Sequence, residues 1–110
     1  MTCRLTVPVE ITAQAAARVA ELGMQAAMER MLEHACGVIA GLQRLEVLLV
    51  PPYDTGDEPM IVIEATRPAS IYRVQDPIRS QWRAWELETF SPDIFRHFAL
   101  QLVYEKNHGG

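Results

Sequence analysis

A chain of 110 residues has room for one compact domain of ordinary size and not for two. With 49% apolar and 22% charged residues it lies outside the compositions of disordered, collagenous and disulfide-rich proteins. Ten basic against fourteen acidic residues give a formal charge of −4, and the arginines stand singly, as at Arg4, Arg18, Arg30, Arg44 and Arg67, so composition argues against a polyanion-binding surface.

The longest stretch without a charged side chain, His34 to Gln43, has about half the length that a bilayer-spanning helix needs. The N-terminus lacks the basic-then-apolar layout of a signal peptide. A cytoplasmic protein with no membrane contact is therefore expected, with Cys3 and Cys36 as reduced thiols.

From Cys3 to Ile11 the odd positions are apolar and the even ones are not, a period of two that predicts a short strand or extended arm over residues 3–11. Pro8 cannot donate to a ladder, so pairing is expected to stop there or to leave the arm at a sheet edge. A helical region follows over residues 12–42. Its first helix starts between Val9 and Ala13 and is closed by Gly23; a second runs from Met24 to about Ala35 and unwinds across Gly37 to Gly41.

Residues 45–105 read as β-β-α-β. Leu45–Val50, closed by Pro51-Pro52, and Met60–Thr66, ended by Pro68, predict a hairpin with a long acidic loop. Asp76-Pro77 starts a helix with Ile78, Trp82, Trp85 and Thr89 on one stripe. Ser91-Pro92-Asp93 makes a short turn, and Phe98–Tyr104 predicts a third strand, with a helix continuing from Pro92 as the alternative. The helix between the second and third strands is a crossover long enough for a parallel connection. The fold class is α+β: N-terminal helices, then a β-hairpin, an amphipathic helix and a third strand, in a single domain over residues 1–110.

Both faces of this sheet are apolar. One parity carries Leu45, Val47, Leu49, Ile61, Ile63 and Ala65; the other carries Leu48, Val50, Met60 and Val62, broken only by Glu46, Glu64 and Thr66. Strands buried on both sides have this pattern. Either the N-terminal helices cover one face and Ile78, Trp82 and Trp85 the other, or a second copy covers part of the sheet. The helices are few for two faces, so a homodimer is expected, with Leu48, Val50, Met60, Val62, Trp82 and Trp85 as interface residues.

No catalytic set emerges, and no cofactor is implied. Asp54, Asp57 and Glu58 in the hairpin loop, with Glu64 on the strand behind them, form the one concentration of carboxylates, the donor type that hard cations take. An acidic hairpin followed by acid-x-Lys resembles restriction-endonuclease-like nucleases, but Glu64-Ala65-Thr66 has Thr in place of the Lys that stabilises their charged transition state. A solvated turn is the expected role of this loop. His34 and Cys36 form a His-x-Cys pair without the further ligands that a zinc site needs, and read as a helix-terminal imidazole beside a core thiol.

Arg4 to Ile11, a helix to Leu22-Gly23, and a second helix over Glu29 to His34 resemble the strand-helix-helix layout of ribbon-helix-helix DNA-binding antitoxins. The resemblance implies that Arg4 and Thr6 face the major groove from a ribbon shared by a dimer. Met24-Gln25 stands where that family has a Ser or Thr cap, and the segment is net acidic, which opposes phosphate contact. Leu45 to Glu105 resembles, in pattern, small bacterial antitoxin-like or accessory proteins. The expectation is a non-enzymatic, homodimeric macromolecular-interaction module, antitoxin-like and with a protein partner; the alternative is a small-molecule-binding or metal-dependent enzyme using the acidic loop.

Overall fold

The computed structural model describes residues 7–51, 58–71 and 77–105. In chain order it contains β1 (Val9–Ile11), α1 (Ala13–Leu22), α2 (Gln25–Val38), β2 (Arg44–Val50), β3 (Met60–Pro68), a 3₁₀ turn (Ala69–Ile71), α3 (Ile78–Thr89), α4 (Pro92–Phe95) and β4 (Phe98–Glu105).

The α+β class holds, and the order needs one correction. Part of the arm is strand β1, which precedes the helices and pairs in parallel with β2, so the sheet has four strands in the order β1-β2-β3-β4. Proline removes a donor but keeps an acceptor. The Pro8 carbonyl accepts from the Leu45 N–H at 3.0 Å and the Thr12 N–H donates to the Val47 carbonyl at 3.1 Å, so pairing does not stop at Pro8 and the arm lies at the sheet edge, the second of the two expectations. β2 and β3 form the antiparallel hairpin, and β3 pairs in parallel with β4 across the α3 crossover.

Thr12 starts α1: its Oγ1 accepts from the Ala15 N–H at 3.2 Å, satisfying one of the free donors of the first turn. Gly23 ends it with φ +68°, its N–H donating to Ala20 and that of Met24 to Val19, a Schellman closure that requires the left-handed conformation. The second helix runs further than its pattern suggested. Gly37 lies inside α2, and the chain turns only at Ile39 to Gly41, where Gly41 takes φ +72°.

The hairpin register pairs Leu45 with Ala65, Val47 with Ile63 and Leu49 with Ile61 on one face. That face joins Ala15 and Val19 of α1, Met28, Met31, Leu32 and Ala35 of α2, and Ile78 and Trp82 of α3 in a single core. The alternative in which α3 covers the opposite face is therefore overturned: α3 joins the same core as α2, with the His34 ring stacked on Trp85 at 3.8 Å and 6°.

Arg67, only 3% exposed, is a buried clamp. Its Nε donates to the Ala40 carbonyl at 3.0 Å and its Nη1 to the Tyr104 hydroxyl at 3.2 Å, while the guanidinium lies over the Tyr104 ring. It ties the turn after α2 to β4 across the sheet.

Candidate functional site

The face of the sheet opposite the helices takes no part in the core that α1, α2 and α3 build. Leu48 pairs with Val62 and Val50 with Met60, and Ala99 lies beside Val62 on β4. Val62 is 7% exposed yet belongs to no part of the helix-covered core, while Leu48, Met60 and Ala99 are half-buried and Val50 is 38% exposed. These residues make one apolar end of the open face.

The next row across the sheet is acidic. Glu10 sits opposite Glu46 and Glu46 opposite Glu64, with Gln101 completing the row on β4. Like charges directly across a ladder destabilise it, so this row needs water. The row beyond holds Arg44, whose Nε approaches Thr66 Oγ1 at 3.4 Å. A depression of about 130 Å³ lies at this end, lined by Pro8, Glu10, Arg44, Leu45 and Glu46. That is smaller than the roughly 300 Å³ at which small-molecule pockets begin.

Leu48, Val50, Met60 and Val62 thus share the open face. Trp82 and Trp85 are on the helical side. Trp82 is 4% exposed and buried by its own chain, tilted against His34 and Trp85, and Trp85 is half-buried with its edge toward Phe90. Burial lowers the pKa of His34, so the stacked imidazole is neutral at pH 7. Glu86, 6% exposed on the next turn of α3, accepts a hydrogen bond from the Trp82 side chain. Desolvation raises its pKa, opposed by the Arg83 charge and that bond.

Of the acidic candidates, the structure describes Glu58 and Glu64. Asp54 and Asp57 lie outside the described residues, as do Arg4 and Thr6. Glu58 sits 3.5 Å from Arg18 Nη2 and 3.8 Å from Nδ1 of the buried His97, and Glu21 pairs with the same arginine. Glu64 lies within β3, six residues further along the chain. Among the described residues no group of three or more His, Cys, Asp or Glu side chains is placed to hold a metal ion. No described helix is long and apolar enough to cross a membrane.

Comparison with known protein families, with curated protein sequences and with solved structures finds no match for this chain. Among the described residues four buried polar side chains, Thr66, Arg67, Glu86 and His97, were not expected from the sequence. Glu86 has a signal, its position four residues after Trp82 on the apolar stripe. Arg67 and His97 have none, because their burial depends on strand pairing far along the chain.

Proposed function

We propose that this chain is a non-enzymatic interaction module of the cytoplasm, a homodimer that presents the open face of its sheet to a protein partner in the manner of an antitoxin-like regulator. The observation supporting this reading is that α1, α2 and α3 all pack into one core on one face, leaving Leu48, Val50, Met60 and Val62 grouped on the other. A contiguous apolar patch rimmed by charge, here Glu46, Glu64 and Arg44, is characteristic of an interaction surface.

Light scattering across a dilution series tests the assembly. A mass near twice the 12.4 kDa of one chain is expected, and a single-chain mass at every concentration overturns the homodimer. A thermal-shift screen with Mg²⁺, Mn²⁺, nucleotides and duplex DNA tests the non-enzymatic assignment, since any ligand specific for the folded state raises the midpoint by mass action. No shift is expected; a saturable rise with a metal or nucleotide overturns the assignment in favour of an enzyme.

A further inference from the structure

The outer edge of β4 differs from every other border of the sheet. β1, at the opposite edge, is three residues long and entered through Pro8. β4 runs eight residues as Phe-Ala-Leu-Gln-Leu-Val-Tyr-Glu, with no proline, no lysine or arginine, and a single charge at its last position. Proteins normally blunt an exposed edge with a short strand, proline or inward charge, because a free row of N–H and C=O groups pairs with any strand that reaches it. None of these devices is present on β4.

The ladder shows which groups that edge offers. The Ile61 N–H donates to the His97 carbonyl at 2.9 Å. In a parallel ladder with Ile61 beside Phe98, this means that Ala99, Gln101 and Val103 turn their backbone groups toward β3 and that Leu100 and Leu102 turn theirs outward. Among the described residues nothing meets Leu100 or Leu102 on that side.

We infer that a second copy of this chain pairs with β4, antiparallel about a two-fold axis at Gln101, to give one continuous eight-stranded sheet. The inference rests on the homodimer reading above and specifies its contact. Charge selects the edge over the open face: stacking two open faces would take Glu46 and Glu64 out of water with Arg44 as the basic residue on that face among the described residues, whereas the edge is uncharged from Phe98 to Tyr104. Charge also selects the direction, since antiparallel order sends the two Glu105 carboxylates to opposite ends and parallel order would align them. With the axis at Gln101, Leu100 exchanges two hydrogen bonds with the partner's Leu102, and the same pair repeats across the axis. That register gives the longest overlap with outward groups facing each other, and an isologous contact of this kind closes at two copies.

Two substitutions test it in the full chain. Leu102→Pro removes an N–H that β3 does not use, so the fold should survive by circular dichroism while the dimer is lost at concentrations where the unsubstituted chain is dimeric. Gln101→Cys, in a Cys3→Ser/Cys36→Ser background, places the two thiols at a non-hydrogen-bonded antiparallel pair, where Cα atoms sit about 4.5 Å apart, within disulfide reach. It should cross-link to a covalent dimer under mild oxidation, and Val103→Cys, off the axis, should not. A chain that is dimeric but unaffected by Leu102→Pro, with Gln101→Cys cross-linking no better than Val103→Cys, overturns the edge contact and leaves the homodimer standing. A monomer at all concentrations overturns both.

Discussion

Truncating Trp82 is the most direct test of how the helical layer is held. Burying an indole removes up to about 250 Å² from water, and large-to-small truncation of such a side chain costs about 3–5 kcal/mol once the residual cavity is counted. Trp82 is 4% exposed and meets both His34 and Trp85, with ring centroids at 5.6 and 5.1 Å. Its side chain also bonds Glu86, so Trp82→Ala leaves a buried carboxyl short of one partner, a further cost of about 1 kcal/mol. The expected loss is therefore in the upper half of that range, about 4–5 kcal/mol, a large fraction of the 5–15 kcal/mol that ordinary domains possess. Urea titration followed by far-ultraviolet circular dichroism at fixed protein concentration measures it without depending on the tryptophan signal. Trp82→Phe, which keeps a ring and loses the donor, should cost about 1–2 kcal/mol. Trp85→Ala, half-buried, should cost less than Trp82→Ala. A change within about 0.5 kcal/mol for Trp82→Ala, or a larger loss at Trp85 than at Trp82, refutes the packing argument.

Protonation of His34 provides a second test. Its folded-state pKa lies below the unfolded value of about 6.5, so the unfolded chain binds the proton more readily. Stability from this group is complete above that value and is lost as pH falls below it. His34→Phe, which can still stack on Trp85, should flatten the change in urea midpoint between pH 7.5 and 5.5. Glu86 acts in the opposite sense: its raised pKa makes folding more favourable below the ordinary carboxyl range and less so as pH rises through the folded value. Glu86→Gln should raise the urea midpoint at pH 7 and leave it nearly unchanged at pH 4. Gly23→Ala should cost about 1 kcal/mol in thermal unfolding; with φ at +68° and nothing within 4 Å of the added Cβ, the loss is conformational and not steric. Calorimetric titration of Mg²⁺ should show at most millimolar, salt-sensitive binding, equally in an Asp54→Asn/Asp57→Asn/Glu58→Gln variant; micromolar binding that the variant abolishes would restore the acidic loop as a site.

The hairpin was legible because its signals agree: alternating apolar residues, proline at both strand ends and a turn-rich loop between. The end of α1 was legible from Gly23, and α3 from the Ile78/Trp82/Trp85 spacing. The strand character of the arm was legible from its period of two, but its pairing with β2 was not, since a partner more than thirty residues along the chain leaves no local signal. Of the candidate surface, sequence parity correctly grouped Leu48, Val50, Met60 and Val62 on one face. It could not separate them from Trp82 and Trp85, because parity says which residues share a face and nothing about which helix lies over it.

That last point is a matter of handedness. β1 to β2 and β3 to β4 are both parallel steps in the same direction across the sheet, but the hairpin between them reverses the strands. Two crossovers of one hand would then place their helices on opposite faces. Here α1, α2 and α3 share a face, so the two connections have opposite hands and one of them is left-handed, a geometry found in only about 2% of such units. Had both been right-handed, α3 and the N-terminal helices would lie on opposite faces, and one set would cover Leu48, Val62 and Glu64. The helix-free apolar face of this protein thus goes with that unusual handedness, which leaves the Glu46 and Glu64 carboxylates without a helix above them.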